Sequence, residues 1–212
     1  MHLVDLTHPI TANMPVFPGT KPPVLVSEGT LEQSGFREKR ISICSHTGTH
    51  IDAPAHLLDQ GPTLDMLPLG RFCGQALVVD VSQGHEPVVG MDRLQPYQER
   101  IFQVDFLLLH TGWSRYWGRQ EYFSNFPVLT REAAQWLTET GLKGIGLDAI
   151  SADRMDSLDF EVHTILLGHE VIIIENLTNL NRLPASPFFL SCFPLSLEQA
   201  DGSPVRAVAW IS

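Results

Sequence analysis

The segment 45–57 reads SHTGTHIDAPAHL and carries three imidazoles and a carboxylate, His46, His50, Asp52 and His56, within a few residues of one another. Imidazole and carboxylate are the donors that zinc, manganese and similar divalent ions bind. In an extended chain side chains alternate with period two, so these four even-numbered groups would project to one face. Thr47, Thr49 and Ile51 would take the opposite, packed face. Gly48 would leave open volume between His46 and His50 for a small ion. Pro54, with no N–H, predicts that the chain leaves the strand ladder beyond Asp52, at an edge. A helix here is opposed by Gly48, Pro54 and the β-branched residues between them. Buried together without a cation, these groups would lack partners and the carboxylate would be desolvated at a cost. The spacing therefore predicts a metal site.

One short strand rarely encloses an ion, so further ligands must come from elsewhere in the chain. The candidates are His110, Asp148, His163, His169 and Glu175. Glu175 closes the run VIIIE, and the carboxyl ends of parallel strands are where sites collect. An acid ending so apolar a run is costly unless it is paired or bound to metal. His163 lies one helical turn from Phe160 and Leu167 and so faces inward, either donating to a backbone carbonyl or reaching an ion. Asp148 and Asp153 read as turn or cap residues. His2, His8 and His85 carry no signal.

The elements that must position these groups are legible in outline. The first third is punctuated by Pro9, Pro15, Pro18-Gly19, Pro22-Pro23, Gly29 and Gly35, with strand-like pieces at 3–6, 24–27 and 38–45. Buried strands are expected at 76–81 and 104–110. Residues 130–140 predict a helix with Thr130 as N-cap and Gly141 at its end. A strand at 144–148, a helix at about 158–167 stopped by Gly168, and a strand at 171–175 follow. That alternation predicts a parallel layer with right-handed crossovers, closed by strands at 188–193 and 205–211. The expected class is α/β with mixed parallel and antiparallel strands. No repeat or linker divides the chain, so residues 1–212 are expected to form one domain.

Composition narrows the partners. The chain has 212 residues and a formal net charge of −10, which argues against nucleic acid, since tracking phosphates needs a Lys/Arg excess. A hydrophobic content of 43% supports a packed core. Cys44, Cys73 and Cys192, with no C-x-x-C, provide neither a disulfide framework nor a thiolate zinc cluster. No export signal is visible at MHLVDLTHPI, and no apolar run approaches a membrane span. A cytoplasmic protein acting on a small molecule is expected.

The run His46-Thr-Gly-Thr-His50-Ile-Asp52-Ala-Pro54-Ala-His56 resembles the H-x-G-T-H-x-D-x-P-x-H signature of the cyclase-like metal-dependent hydrolases. That family includes the bacterial kynurenine formamidases (arylformamidases) and the isatin hydrolases. The opening DLTHPITANMPVFPGT, the stretches DFLLLHTGW and GLDAISAD, and a final series also match in order. That series is His163, Glu175, Asn176 and Leu177, Asn179 and Leu180, Leu183 and Pro184. The resemblance covers nearly the whole chain.

The resemblance implies a swivelling β/β/α fold, a homodimer or larger assembly, and one or two divalent ions, zinc or manganese, at the base of a cleft. It implies that His46, His50 and Asp52 bind the first ion and that Asp52 reaches the second. His163 would ligate the second ion, Glu175 would bridge both, and His56 would carry protons rather than bind metal. The implied activity is hydrolysis of a C–N bond other than a peptide bond. N-formyl-L-kynurenine would be cleaved to kynurenine and formate by metal-activated hydroxide, a step of tryptophan catabolism. Phe17 stands where the formamidases carry a substrate-lining Trp, and with a residue such as Trp113 it could stack on an aromatic ring. Thr20 replaces the Asp usual after Pro-Gly, and Val162-His163 stands where formamidases tend to have two histidines. These departures leave a cyclic amide or lactone, as in the isatin hydrolases, as the alternative substrate. A serine hydrolase is disfavoured because Gly112-Trp-Ser-Arg-Tyr116 is not G-x-S-x-G. A purely structural metal protein would have no use for His56.

Overall fold

The computed structural model describes residues 1–83 and 87–211; His85 lies outside them. In chain order, β1 (His2–Asp5) precedes a hairpin of β2 (Val24–Gly29) and β3 (Glu38–Ser42), with the short helix α1 (Leu31–Ser34) at its tip. Then come β4 (His50–Asp52), β5 (Cys73–Asp80), β6 (Val88–Val89), the single-turn helices α2 (Met91–Leu94) and α3 (Gln98–Ile101), and β7 (Phe106–His110). The second half holds β8 (Val128–Leu129), α4 (Arg131–Thr138), β9 (Gly144–Leu147), α5 (Glu161–Gly168), β10 (Ile172–Glu175), β11 (Phe188–Ser191), β12 (Gly202–Pro204) and β13 (Val208–Ile211).

Nine of these strands join in one sheet of order β1-β13-β11-β5-β7-β9-β10-β4-β12. β5, β7, β9 and β10 are mutually parallel at its centre. Antiparallel strands extend it on both sides, β11, β13 and β1 beyond β5, and β4 and β12 beyond β10. The mixed α/β class is the one expected. The central strands are almost wholly apolar because both their faces are covered. Leu77, Leu107, Ile145 and Ile173 pack under Ala134 and Leu137 of α4 and Leu166 of α5. Ala76, Phe106, Leu108, Ile172 and Ile174 join Ile51, Val4 and Leu190 in a second cluster on the other face. No helix among the described residues is long and apolar enough to cross a membrane.

Several boundaries differ from expectation. The helix at 130–140 is capped as predicted, Thr130 accepting from Ala133 N–H at 3.2 Å, and Gly141 reverses the chain at φ +81°. The next helix begins at Glu161, because Phe160 sits at φ +46°, outside helical space. It runs through Gly168, and Glu170, at φ +59°, makes the reversal instead. β3 ends at Ser42 rather than 45. β12 was not foreseen: Gly-Ser-Pro has poor strand propensity, and its conformation comes from pairing with β4 at the edge of the sheet.

The single extended strand expected across 46–56 is not formed. Only His50–Asp52 is β structure. Gly48 turns the chain at φ +67°, and Pro54–His56 form a 3-10 turn. A Cβ on Gly48 would lie 3.1 Å from Met14 Cε, so this glycine serves the turn rather than opening ion space. The four polar groups meet because the chain bends at both ends of a short strand. β4 itself is covered by β12, which takes the edge position.

Candidate metal centre

β4 lies between β10 and β12, with His50 opposite Glu175 and Pro204, and Asp52 opposite Ile173 and Gly202. Residues paired across a ladder share a face, so His50, Asp52 and Glu175 project together. Glu175 stands at the carboxyl end of parallel strand β10, as its position in VIIIE suggested. The first turns of α5 bring His163 over the same face.

Among the described residues three three-residue groups could hold an ion: one joins His46, His56 and Asp201, and the other two share Asp52. In the first of those two, Asp52 Oδ1 lies 2.6 Å from His46 Nδ1 and 3.2 Å from His50 Nε2. In the second, His163 Nε2 lies 3.2 Å from Glu175 Oε1 and 3.7 Å from Asp52 Oδ2. Glu175 Oε2 reaches back to within 3.5 Å of His50 Nε2. The groups are held from behind. His50 Nδ1 lies 2.8 Å from the Gly48 carbonyl, which also accepts from Asn176 Nδ2 at 3.0 Å. Asn176 in turn accepts from the buried Tyr122 hydroxyl at 2.7 Å. Glu175 Oε1 accepts from Ala152 N–H at 2.9 Å.

The donor set fits a divalent cation. Asp52 is 1% exposed, and its Oδ2 has no hydrogen-bond partner although it faces the second cluster. A buried carboxylate oxygen left in that state is costly unless a cation meets it. The acids also create a strong demand for positive charge. Burial disfavours the imidazolium of His46, yet Asp52 and Asp201 outweigh it and hold its pKa at about 9. His50 and His163 are likewise raised against their burial, by Asp52 with Glu175 and by Asp153 with Asp52 and Glu175 respectively. Burial would raise Asp52, but His50, His163 and His46 pull it well below the carboxylate range. Cations that displace protons from such a cluster meet the same field.

His56 stands at the mouth, its side chain 30% exposed and its ring centroid 3.9 Å from that of His46. Burial lowers its pKa, and the positive neighbours His46 and His163 add to the effect against the opposing pull of Asp52 and Glu175. Phe17 lines the same cleft of about 200 Å³, with Phe160, Ser151 and Asn176.

Other candidates lie elsewhere. His110 pairs with Asp80 at 3.4 Å, and His169 faces the Ile165 carbonyl on the exposed side of α5. Asp148 accepts from Thr111 and Ser114 and anchors their loop from a distance, a structural role other than the local turn or cap expected. Trp113 packs edge-on against Tyr116 and is not among the cleft residues. Asp153 does cap α5, and it also orients His163 at 2.6 Å, which the cap reading alone did not show.

Asp201 was missed. Its Oδ2 lies 2.9 Å from His46 Nε2 and 3.6 Å from His56 Nδ1. In sequence it is the first residue of Asp-Gly-Ser-Pro, an ordinary turn signal, and nothing in its spacing points to residue 46. Phe160 was noted only as a helix neighbour; its left-handed backbone, which carries the ring to the cleft, has no clear sequence signal.

The "Cyclase" family model matches residues 4–154 of this chain. The chain is 33% identical over 206 residues to a protein named kynurenine formamidase from Bacillus cytotoxicus, covering 97% of this chain and 95% of that one. It also superposes on isatin hydrolase A from Ralstonia solanacearum with a TM-score of 0.89 and 27% identity, over 100% of this chain and 92% of that one. Isatin hydrolase A from Labrenzia aggregata, in a structure with benzyl benzoate bound, gives a TM-score of 0.89 at 25% identity, over 98% and 93% of the two chains.

Proposed function

The chain belongs to the cyclase family, and from that premise we propose that it is a metal-dependent hydrolase of aryl amides, an arylformamidase that cleaves N-formyl-L-kynurenine to kynurenine and formate. The observation that carries this reading is the shared position of Asp52. One buried carboxylate faces His46 and His50 with one oxygen and His163 with the other. In this reading His46, His50 and Asp52 would hold one ion, and Asp52, His163 and Glu175 would hold the other. Zinc or manganese at these positions supplies Lewis acidity and acidifies water for attack near neutral pH.

The chain's own groups do the rest. Burial holds the His56 pKa below the usual imidazole value, so its imidazole is free to accept a proton. With Nδ1 toward Asp201, Nε2 takes the proton from the attacking water and returns it to the departing aniline nitrogen. Phe17 and Phe160 present apolar walls to the aromatic ring and exclude water from it.

A second substrate has a specific observation in its favour. No Lys or Arg is among the residues lining the cleft, so the carboxylate of an amino-acid substrate finds no cationic side chain there. A neutral cyclic amide such as isatin asks for none. Purified protein loaded with zinc or manganese, assayed on N-formylkynurenine and isatin side by side, separates the two. Turnover of neither by protein that has taken up the metal overturns the aryl-amide reading.

We also propose that residues 1–212 act as one domain, in the cytoplasm, where Cys44, Cys73 and Cys192 stay as free thiols. The working form is a homodimer. The β2–β3 hairpin leaves Val24, Phe36 and Ile41 more than half or about half exposed, and a two-stranded hairpin is marginal until something covers it. Equilibrium ultracentrifugation tests this.

A further inference from the structure

Two carboxylates that belong to neither Asp52-containing cluster nonetheless touch their histidines. Asp153, 5% exposed, accepts from the N–H groups of Val162 and His163 at 2.9 Å each, and its Oδ2 lies 2.6 Å from His163 Nδ1. Backbone and ring of His163 are therefore held by one side chain, and Nε2 is left facing Glu175 and Asp52. Asp201 does the corresponding thing for His46. Its Oδ2 is 2.9 Å from Nε2 while Nδ1 faces Asp52 at 2.6 Å. Its backbone is docked as well, since Ala53 N–H donates to the Asp201 carbonyl at 2.9 Å. Each carboxylate serves a different cluster, and the two come from different loops.

We propose that Asp153 and Asp201 are positioning residues with separate duties, each setting the ring of the histidine that serves one of the two ion positions. The proposal rests on the metal-dependent reading above. A ligating imidazole whose other nitrogen is held by a carboxylate is fixed in tautomer and rotation and becomes a stronger donor. Loss of such a partner weakens metal binding by about 10–100-fold. Because His163 and His46 have separate partners, each loss falls chiefly on one position and reaches the other only through the shared Asp52 and Glu175.

Asp153→Asn and Asp201→Asn remove the charge and keep the shape. Each is made in the wild type and in two backgrounds, His163→Ala and His46→Ala, that delete one position. Zinc affinity of stripped protein is read by competition with a chromophoric chelator and ion content by elemental analysis. Far-UV circular dichroism of the stripped proteins reports folding.

In the wild type, D153N weakens one zinc ion by about 10–100-fold and the other far less, and D201N does the reverse. In the H163A background D153N has no further effect while D201N weakens the remaining ion; in H46A the pattern reverses. Equal weakening of both ions, or an effect of D153N that persists in H163A, overturns the division of duties. If D153N does not fold, Asp153→Glu restores the charge: selective retention of the second ion supports the proposal, and loss of both ions counts against it. Uptake of two ions with no change in either variant overturns the proposal alone. Uptake of one ion removes the two-position arrangement, and uptake of neither zinc nor manganese by the wild type overturns the metal-dependent reading with it.

Discussion

Gly202 lies opposite Asp52 in the β12–β4 ladder, and the Cβ it lacks would sit 2.7 Å from Nε2 of His46. The His46 ring therefore rests on the bare backbone of the edge strand. Any side chain there forces the imidazole away from Asp52. Gly202→Ala is expected to fold, to lose about 1–3 kcal/mol of stability from overpacking, and to bind the first ion at least about tenfold more weakly. Chelator competition checks it; unchanged affinity would mean that the ring's position is set elsewhere.

His56 belongs to neither Asp52-containing cluster, although it groups with His46 and Asp201 within ligand distance, its ring 3.9 Å from that of His46. His56→Ala is expected to keep its metal content and lose about 10²–10⁴-fold in kcat, the usual worth of a positioned proton carrier. Elemental analysis and steady-state kinetics on the same preparation test this. A loss of metal in proportion to activity would make His56 a ligand instead.

Removal of metal is expected to abolish activity and lower thermal stability together. Asp52, Glu175, His50 and His163 are buried and His46 is partly so, and their balance of charge depends on the cation. Re-addition of zinc at a hundred times its Kd restores about 2.7 kcal/mol by mass action. Thermal melts of stripped and reloaded protein report it, and coincident melting temperatures would refute it.

His8 provides a pH dependence independent of the metal. Its ring is stacked 3.9 Å from that of Trp117, is 8% exposed, and is driven by burial to a pKa of about 4. The folded protein thus keeps His8 neutral where the unfolded chain protonates it near 6.5. Stability from this residue is complete above that value, falls as the pH drops, and levels off below about 4. The loss is about 3 kcal/mol at 1.36 kcal/mol per unit. His8→Phe keeps a stacked ring without titrating, so its urea-denaturation curves are expected to lose about that much less between pH 7 and 4. Parallel losses in the two proteins would show that other groups govern the acid limb.

The chemistry of the candidate ligands was legible because it is local. Imidazole and carboxylate at 46–56 name their own ligand class, and an acid at the end of VIIIE is anomalous in any fold. The period-two argument anticipated the convergence of these four residues by an incomplete route. It holds for His50 and Asp52, while His46 and His56 arrive through the turn at Gly48 and the 3-10 turn at Pro54.

The sequence by itself determined the donor types, the α/β alternation and the apolar central strands, since each depends on residues close in the chain and on backbone periodicity. Only the tertiary structure decided which nitrogen of each histidine faces Asp52, that Asp153 and Asp201 stand behind His163 and His46, and that β12 forms at all. Most of those facts depend on strand register between β4, β10 and β12, where partners lie more than a hundred residues apart, while the Asp153–His163 pair joins the loop after β9 to α5. Ring orientation is set by hydrogen bonds across that register, and no local spacing encodes it.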